Sequence, residues 1–241
     1  MLKKVQGVIF KEISYGDTSK IIHLFTNEGI IGIMCKGAKN LKSPFRATTL
    51  KFTYGEFNIY YKEGGLSILK SVDILDSLSL IKNDIVLLSY VNYLTELTSQ
   101  VIKQTDDDLY EDYLNVILKI NSGLDPLIMC NILEIKYLDY LGVGLNLDAC
   151  VKCGKSVNIL TIDGDAGGYI CSNCYTKEMV VEPKTIELLR MYYYVEIKSI
   201  KNLKISDRVR NEINYFLNTY YDRYTGLYLK SKEFLKKLDV K

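Results

Sequence analysis

From Gln6 to about Asp76 apolar and polar residues alternate in five runs rich in Ile, Tyr and Phe: QGVIFKEISY, SKIIHLFT, GIIGIMCKGA, FTYGEFNIYYKE and LSILKSVDIL. A period of two with β-branched and aromatic residues predicts half-buried strands. The segments NEG (Asn27–Gly29) and KEGG (Lys62–Gly65) separate runs as hairpin turns. Gly55 interrupts the fourth run. Phe52 and Tyr54 fall on one parity while Phe57, Ile59 and Tyr61 fall on the other. A bulge at the glycine accounts for the switch. Five short strands suit a small closed barrel, with the OB-fold the commonest choice and an SH3-like barrel the alternative.

The period changes after Ser77. NDIVLLSYVNYLTELTSQVI places Ile85, Leu88, Val91, Tyr93, Leu94 and Leu97 at helical spacing, with Asn83 or Asp84 as the start cap. DDDLYEDYLNVILKI predicts a second helix with acids crowding its first turn, where the helix dipole favours them. In DPLIMCNILEIKYLDYLG, Pro126 opens a third helix and Gly142 stands past its end. PKTIELLRMYYYV, SDRVRNEINYFLNTYYDRY and GLYLKSKEFLKKL are helical in period as well. The expected fold is α+β and multidomain. A five-stranded OB-fold barrel occupies residues 1–78, and an all-α domain occupies 79–241, with a cysteine module inserted at 147–178.

That module, CVKCGKSVNILTIDGDAGGYICSNC, carries Cys150, Cys153, Cys171 and Cys174 as C-x2-C-x17-C-x2-C. The spacing reads as a zinc site. Gly154 offers the permissive backbone that a turn around the ion needs. SVNILTI and GYI form two strands joined by DGDAGG, a zinc-ribbon hairpin. Four cysteines fill a tetrahedron and leave no position for water, so the expected Zn2+, one per chain, is structural. A thioredoxin-like pair would need a single C-x-x-C opening a helix. Zinc deaminase chemistry would need a nearby H-x-E, and the only histidine is His23 in the barrel. Cys35 and Cys130 read as small buried apolar residues.

Composition adds limits. With 48% hydrophobic and 25% charged residues, the 241-residue chain is that of an ordinary globular protein. No apolar run reaches bilayer length and no secretory leader is evident, so a cytoplasmic protein without disulfides or membrane contact is expected. The net charge of +2 is uneven. Residues 1–76 hold 11 basic and 7 acidic groups (+4), and residues 77–146 hold 4 and 10 (−6). Residues 147–180 hold 3 and 4 (−1), and residues 181–241 hold 13 and 8 (+5). Such blocks suggest modules facing different partners.

Within the first block, KGAKNLKSPFRATTLK holds Lys36, Lys39, Lys42, Arg46 and Lys51, with no acid between Glu28 and Glu56. Gly37, Ser43 and Pro44 mark it as a loop. The aromatic run follows at once. Cations that track phosphates beside rings that stack on bases are how OB-folds hold single strands, which nominates those five cations with Phe52 and Tyr54 as nucleic-acid-binding residues. A solvated lysine run over core aromatics is the plain alternative.

Other motifs fail. GGLSILKS lacks the second glycine of a phosphate-binding loop because Leu69 stands there. GVGLNL lacks the third glycine of a dinucleotide fingerprint, and Asp106–Asp108 is a charged helix start. No catalytic constellation emerges, so no enzyme is expected.

YGDTSKIIHLFTNEGIIGIMCKGAKNLKS (Tyr15–Ser43), KFTYGEF (Lys51–Phe57), EIKYLDYLG (Glu134–Gly142) and YLKSKEFLKKL (Tyr228–Leu238) together carry a resemblance along essentially the whole chain. The sequence resembles the bacterial RecO family of recombination mediators. Some members lack the cysteines, so zinc rests on the spacing found here. The resemblance implies binding of single- and double-stranded DNA, annealing of complementary strands, and action on strands coated by single-stranded DNA-binding protein (SSB). It also implies association with RecR and help in loading RecA. SSB is contacted in this family through an acidic, Phe-ending tail, for which Arg223, Lys230 and Lys232 beside the Tyr-rich helices are the candidates. The rival class is a zinc-stabilised protein-interaction scaffold with little direct DNA binding.

Overall fold

A computed structural model describes the backbone of residues 1–238 and the side chains of residues 1–235; residues 239–241 of the expected second domain lie outside the described residues. Two compact units result: Met1–Leu88 with Asp108–Leu114, and Ser89–Asp107 with Asn115 onward.

The first unit contains the expected barrel and also takes in residues 79–88 and 108–114 of the chain expected in the helical domain. Strands β1 (Leu2–Tyr15), β2 (Ser19–Thr26), β3 (Gly29–Cys35), β4 (Tyr54–Tyr60) and β5 (Ser67–Asp76) close in the order β1-β2-β3-β5-β4. Only β3 and β5 are parallel, through Ile33↔Ser67 and Met34↔Ile68. This is the OB-fold topology. Closure depends on β1, whose first half pairs with β4 from Leu2 to Val8 and whose second half pairs with β2 as far as Tyr15. The register breaks between Ile9 and Lys11, where the strand turns from one neighbour to the other. Val5, Ile9, Ile22, Leu24, Ile33, Phe57, Ile59 and Leu69 fill the interior. Phe10, left over at the break, meets Phe25 at 4.4 Å and Tyr113 at 4.7 Å between ring centres.

The parity switch has a different origin from a bulge in β4. Gly55, Phe57 and Ile59 alternate inward without interruption. The irregularity is in β5, where Tyr54 pairs with Asp76 but Gly55 with Ile74. Glycine suits position 55 because a Cβ there would lie 2.8 Å from Asp73 O. Phe52 is not in the strand. Its backbone is left-handed (φ 63°), its N–H donates to Ile9 O at 2.9 Å, and its ring is 1% exposed. A buried ring cannot stack on a base, so Phe52 leaves the set of nucleic-acid candidates. It joins the core.

In the second unit, helix α5 (Pro126–Tyr140) is buried on nearly every side. Asp125 caps it, accepting from Leu127 N at 2.9 Å and Ile128 N at 3.1 Å, with Pro126 at the first turn as expected. The short helices α1 (Phe45–Thr48) and α2 (Ser79–Asn83) precede α3 (Ile85–Val101), which Asp84 caps through Val86 N and Leu87 N. The remaining helices are α4 (Tyr110–Asn121), α6 (Pro183–Tyr194), α7 (Asp207–Tyr224) and α8 (Lys230–Leu238). A sheet of β6 (Asn146–Cys150), β8 (Gly168–Cys171) and β7 (Ile159–Asp163) carries the cysteines. The β7–β8 hairpin is the expected one; β6, parallel to β8, is an addition that Asn146, Asp148 and Ala149 do not advertise.

Glu134 on α5 is buried, accepting from the Tyr93 hydroxyl, while Tyr221 Oη donates to its backbone carbonyl at 2.8 Å. Burial pushes its carboxyl above the ordinary value of 4.5, and the Lys232 ammonium and the Tyr93 hydroxyl pull it only part of the way back.

Two outcomes follow from this packing. Phe52→Ala should cost about 3–5 kcal/mol in chemical denaturation, while exposed Arg46→Ala costs at most about 0.5 kcal/mol; equal stabilities would show the ring is not core. The folded state holds the Glu134 proton to higher pH than the unfolded chain does, so this residue's contribution falls as pH rises from 4.5 through its folded value. Glu134→Gln keeps an acceptor for Tyr93 and removes that titration. The stability of the parent minus that of the variant should therefore decline with pH across that window; a flat difference would show an unperturbed carboxyl.

Candidate nucleic-acid interface and metal centre

The four cysteine sulfurs lie within 4.8 Å of one another, and Sγ of Cys153 is 3.7 Å from Sγ of Cys171. Zinc–sulfur bonds of about 2.3 Å in a tetrahedron put sulfurs about 3.8 Å apart, so the cluster has the right size for one ion. Backbone geometry prepares it. Gly154, at φ 73°, donates its N–H to Cys150 O at 2.8 Å, and Cys174 N donates to Cys171 O at 3.0 Å. Burial alone raises the Cys150 thiol, but amide donors from Cys171, Lys152 and Cys153, with the Cys171 side chain, bring it down to about 6. Cys174 is held at about 12, first by hydrogen bonding with Cys153 and then by burial. One thiol gives up its proton readily and another retains it. A divalent cation would displace the thiol protons and let all four sulfurs serve as thiolates.

Lys152 stands beside this cluster, donating to Cys174 O at 3.3 Å and pairing with Glu178. The Lys152 ammonium, with Thr176 N–H, holds the Glu178 carboxyl far below its usual range. The hairpin tip is seated on α7. A Cβ at Gly164 would fall 2.7 Å from Thr219 Cβ, and Tyr224 Oη donates to Asp165 O at 2.7 Å. Among the described residues Cys35 and Cys130 belong to no metal-ligand cluster. Burial pushes the first up to about 12 and the second well above its ordinary value, as suits protonated core residues.

The cationic loop leaves β3 at Lys36 and is pinned as it goes. Lys39 N donates to Thr18 O at 2.8 Å, Lys39 Nζ donates to Gly16 O at 3.0 Å, and Ala38 is buried in the barrel core. Lys39 and Arg46, with Lys20, Ser14, Leu41 and Leu50, line an open groove of about 730 Å³. Lys36 and Lys42 are exposed on the same loop. Among the described residues no carboxylate lies within ion-pair distance of Lys36, Lys39, Lys42 or Arg46. Lys20 escapes a reading of the sequence because it sits within a strand; its charge is shared with Glu12 at 2.7 Å.

Lys51 is set apart from the other four. It is half-buried over the Phe52 ring at 4.5 Å, and burial lowers its ammonium below the ordinary lysine range. Tyr54 is half-buried with its hydroxyl taken by Gln6, and burial raises its phenol. The C-terminal cations do not share one pocket mouth. Lys232 turns inward over the Tyr221 ring at 5.5 Å and lies 3.8 Å from Asp222, lining a cavity with Tyr90, Leu127 and Asn131. Arg223 and Lys230 are exposed to solvent outside that lining. Among the described residues no helix is long and apolar enough to cross a membrane.

Comparison with known proteins gives two family matches that divide the chain between them. The N-terminal region of recombination protein O matches residues 1–78, and its C-terminal region matches residues 82–233. The DNA repair protein RecO of Bacillus pumilus (strain SAFR-032) is 34% identical over 245 residues, 99% of this chain and 95% of that protein. Those of Bacillus subtilis (strain 168) and Listeria monocytogenes serotype 4b (strain F2365) are each 32% identical, over 99% of this chain and 96% and 95% of their own lengths. With both halves matched and relatives aligned end to end, the chain belongs to the RecO family of DNA repair proteins.

Proposed function

We propose that this protein is a recombination mediator that binds single- and double-stranded DNA through the barrel's cationic loop and anneals complementary strands. With RecR it would help load RecA onto SSB-coated single strands, in the cytoplasm at the nucleoid. The observation that carries the reading is a run of four cations, Lys36, Lys39, Lys42 and Arg46, fastened to an OB-fold barrel with no carboxylate among the described residues neutralising them. Two phosphate backbones repel each other, and a protein that contacts both with fixed cations releases their counterions and lowers that cost. No covalent step is needed. Arg223 and Lys230, the exposed pair of the basic C-terminal segment, are the cations assigned to the acidic SSB tail.

The cysteine cluster is assigned one Zn2+, held by Cys150, Cys153, Cys171 and Cys174. The ion supplies folding energy to a module too small to bury a core of its own. Four protein ligands leave it no open position, so its part is to brace the hairpin on α7.

Each assignment has a direct test. Four single-strand phosphate contacts give a log–log salt slope of about −2.8, so raising salt from about 50 to about 200 mM should weaken oligonucleotide binding about fiftyfold. Lys39→Glu with Lys42→Glu and Arg46→Glu should abolish most of that affinity and most of the slope while the melting temperature stays near the parent's. Retained affinity at moderate salt would remove the loop from the interface. An absence of salt-dependent binding in the parent protein would favour the scaffold reading. For the metal, elemental analysis should find about one zinc per chain, and Cys171→Ser should lose it and lower the melting temperature. A chain that purifies without zinc and melts unchanged after chelation would overturn the assignment.

A further inference from the structure

An unpaired base differs from a paired one in having a free π-face, so a protein that prefers single strands needs an exposed ring beside its cations. The two rings that the sequence nominates are poorly suited: Phe52 is buried and Tyr54 is half-buried and hydrogen-bonded to Gln6. Tyr15 is different. It ends β1 and is 53% exposed. It pairs with Ser19 across the β1–β2 hairpin, and Ser19 Oγ accepts from Gly37 N at 3.3 Å, which brings the residue after Lys36 alongside. On the other side, Lys39 Nζ is bonded to the carbonyl of Gly16, next to Tyr15 in sequence. Tyr15 therefore lies at the end of the hairpin to which the cationic loop is fastened, with its ring on the face opposite Ser14 and Lys20, which line the groove with Lys39 and Arg46.

The face is suited to a base. Ile13 and Ile21 are register partners one step further along the hairpin, and Ile21 is paired in turn with Met34 on β3. Strand alternation puts these three on the outer surface with Tyr15, giving a flat apolar strip beside the ring. Glu12 points to the opposite face, where it holds Lys20. Asp17, in the turn, is the other carboxylate nearby in sequence. Such an outer surface, with the first hairpin loop, is where OB-folds receive oligonucleotides.

We infer that Tyr15 is the ring on which an unpaired nucleobase stacks, and that it gives the cationic loop its preference for single strands over duplex. This rests on the DNA-binding reading above. Phosphate contacts serve both kinds of nucleic acid, whereas stacking on Tyr15 serves only the one whose bases are free.

The chain contains no tryptophan, so Tyr15→Trp creates a single emitting indole at the proposed contact. Its emission should be quenched by an oligothymidylate, saturating at the concentration where a labelled copy of the same oligonucleotide is bound. Tyr15→Ala should weaken single-strand binding about tenfold and leave duplex binding and the salt slope unchanged, while Tyr15→Phe retains the parent affinity. The side chain is exposed, so circular dichroism and melting should match the parent. Single-strand affinity within about twofold of the parent in Tyr15→Ala would overturn the inference. So would indole emission from Tyr15→Trp that ignores a bound oligonucleotide, or equal losses for single strand and duplex in Tyr15→Ala. If the strip then captures no base, it is free to face a protein, and the loop assignment stands on the charge-reversal result alone. Failure of the parent protein to bind any oligonucleotide at low salt would instead bring down the DNA-binding reading together with Tyr15.

Discussion

Lysines brought together on a loop repel one another, and an unconstrained loop would spread them into solvent. Here the chain between β3 and β4 is bonded to the barrel at both ends. Near its start, Lys39 N donates to Thr18 O and Ala38 is buried in the barrel core. Near its end, Phe52 N donates to Ile9 O, Ile9 N donates to Thr53 O at 3.1 Å, and the Phe52 ring is buried. The second attachment uses β1 at Ile9, beside the change of neighbour that also closes the barrel. Closure and the presentation of charge are thus one constraint. The barrel fixes the loop, and the fixed loop holds its cations where their mutual repulsion is relieved best by a polyanion.

The cysteine module solves a different problem by different means. Its three short strands form too little sheet to stand alone. It gains support from α7, against which Gly164 fits with no room for a side chain, and the ion proposed for the sulfur cluster would tie β6 and the turn after it to the end of β8. Neither source involves the cationic loop. Loss of the proposed metal and loss of the proposed phosphate contacts would accordingly be separable failures, with zinc content and salt slope reporting on different parts of the molecule.

Much of this is readable from the residues, and the gaps have physical causes. The period-two runs locate all five barrel strands, with β1 beginning earlier than its apolar pattern because Leu2 and Lys3 pair with β4 while partly open to water. Asp84, Asp125 and Pro126 mark helix starts, since caps depend on local geometry alone. Cysteine spacing anticipates that the four sulfurs come together, because each C-x-x-C pair forms on one turn. Phe52 misleads because its outward parity presumes an extended backbone, and a φ of 63° at a phenylalanine is a tertiary effect that no alternation shows. Lys51 and Lys232 mislead because a lysine reads as surface, whereas its long apolar stem can lie over a ring and carry the charge inward. Tyr15 escapes notice because exposure at a strand end depends on which neighbours stop first.

Charge and stacking impose opposite demands, and their separation on this barrel matters for the proposed activity. An annealing protein must hold two strands without regard to sequence and release them once they have paired. Cations alone would keep hold of the product, because a duplex carries denser phosphate than either strand. An exposed ring adds affinity only while bases are unpaired, and it forfeits that affinity when the duplex stacks them on each other. Tyr15 beside Lys36 and Lys39 would then do more than strengthen binding: it would make the interface weaken at the step where the product must leave. A loop of cations with all its rings buried could gather strands but would have no such means of telling substrate from product.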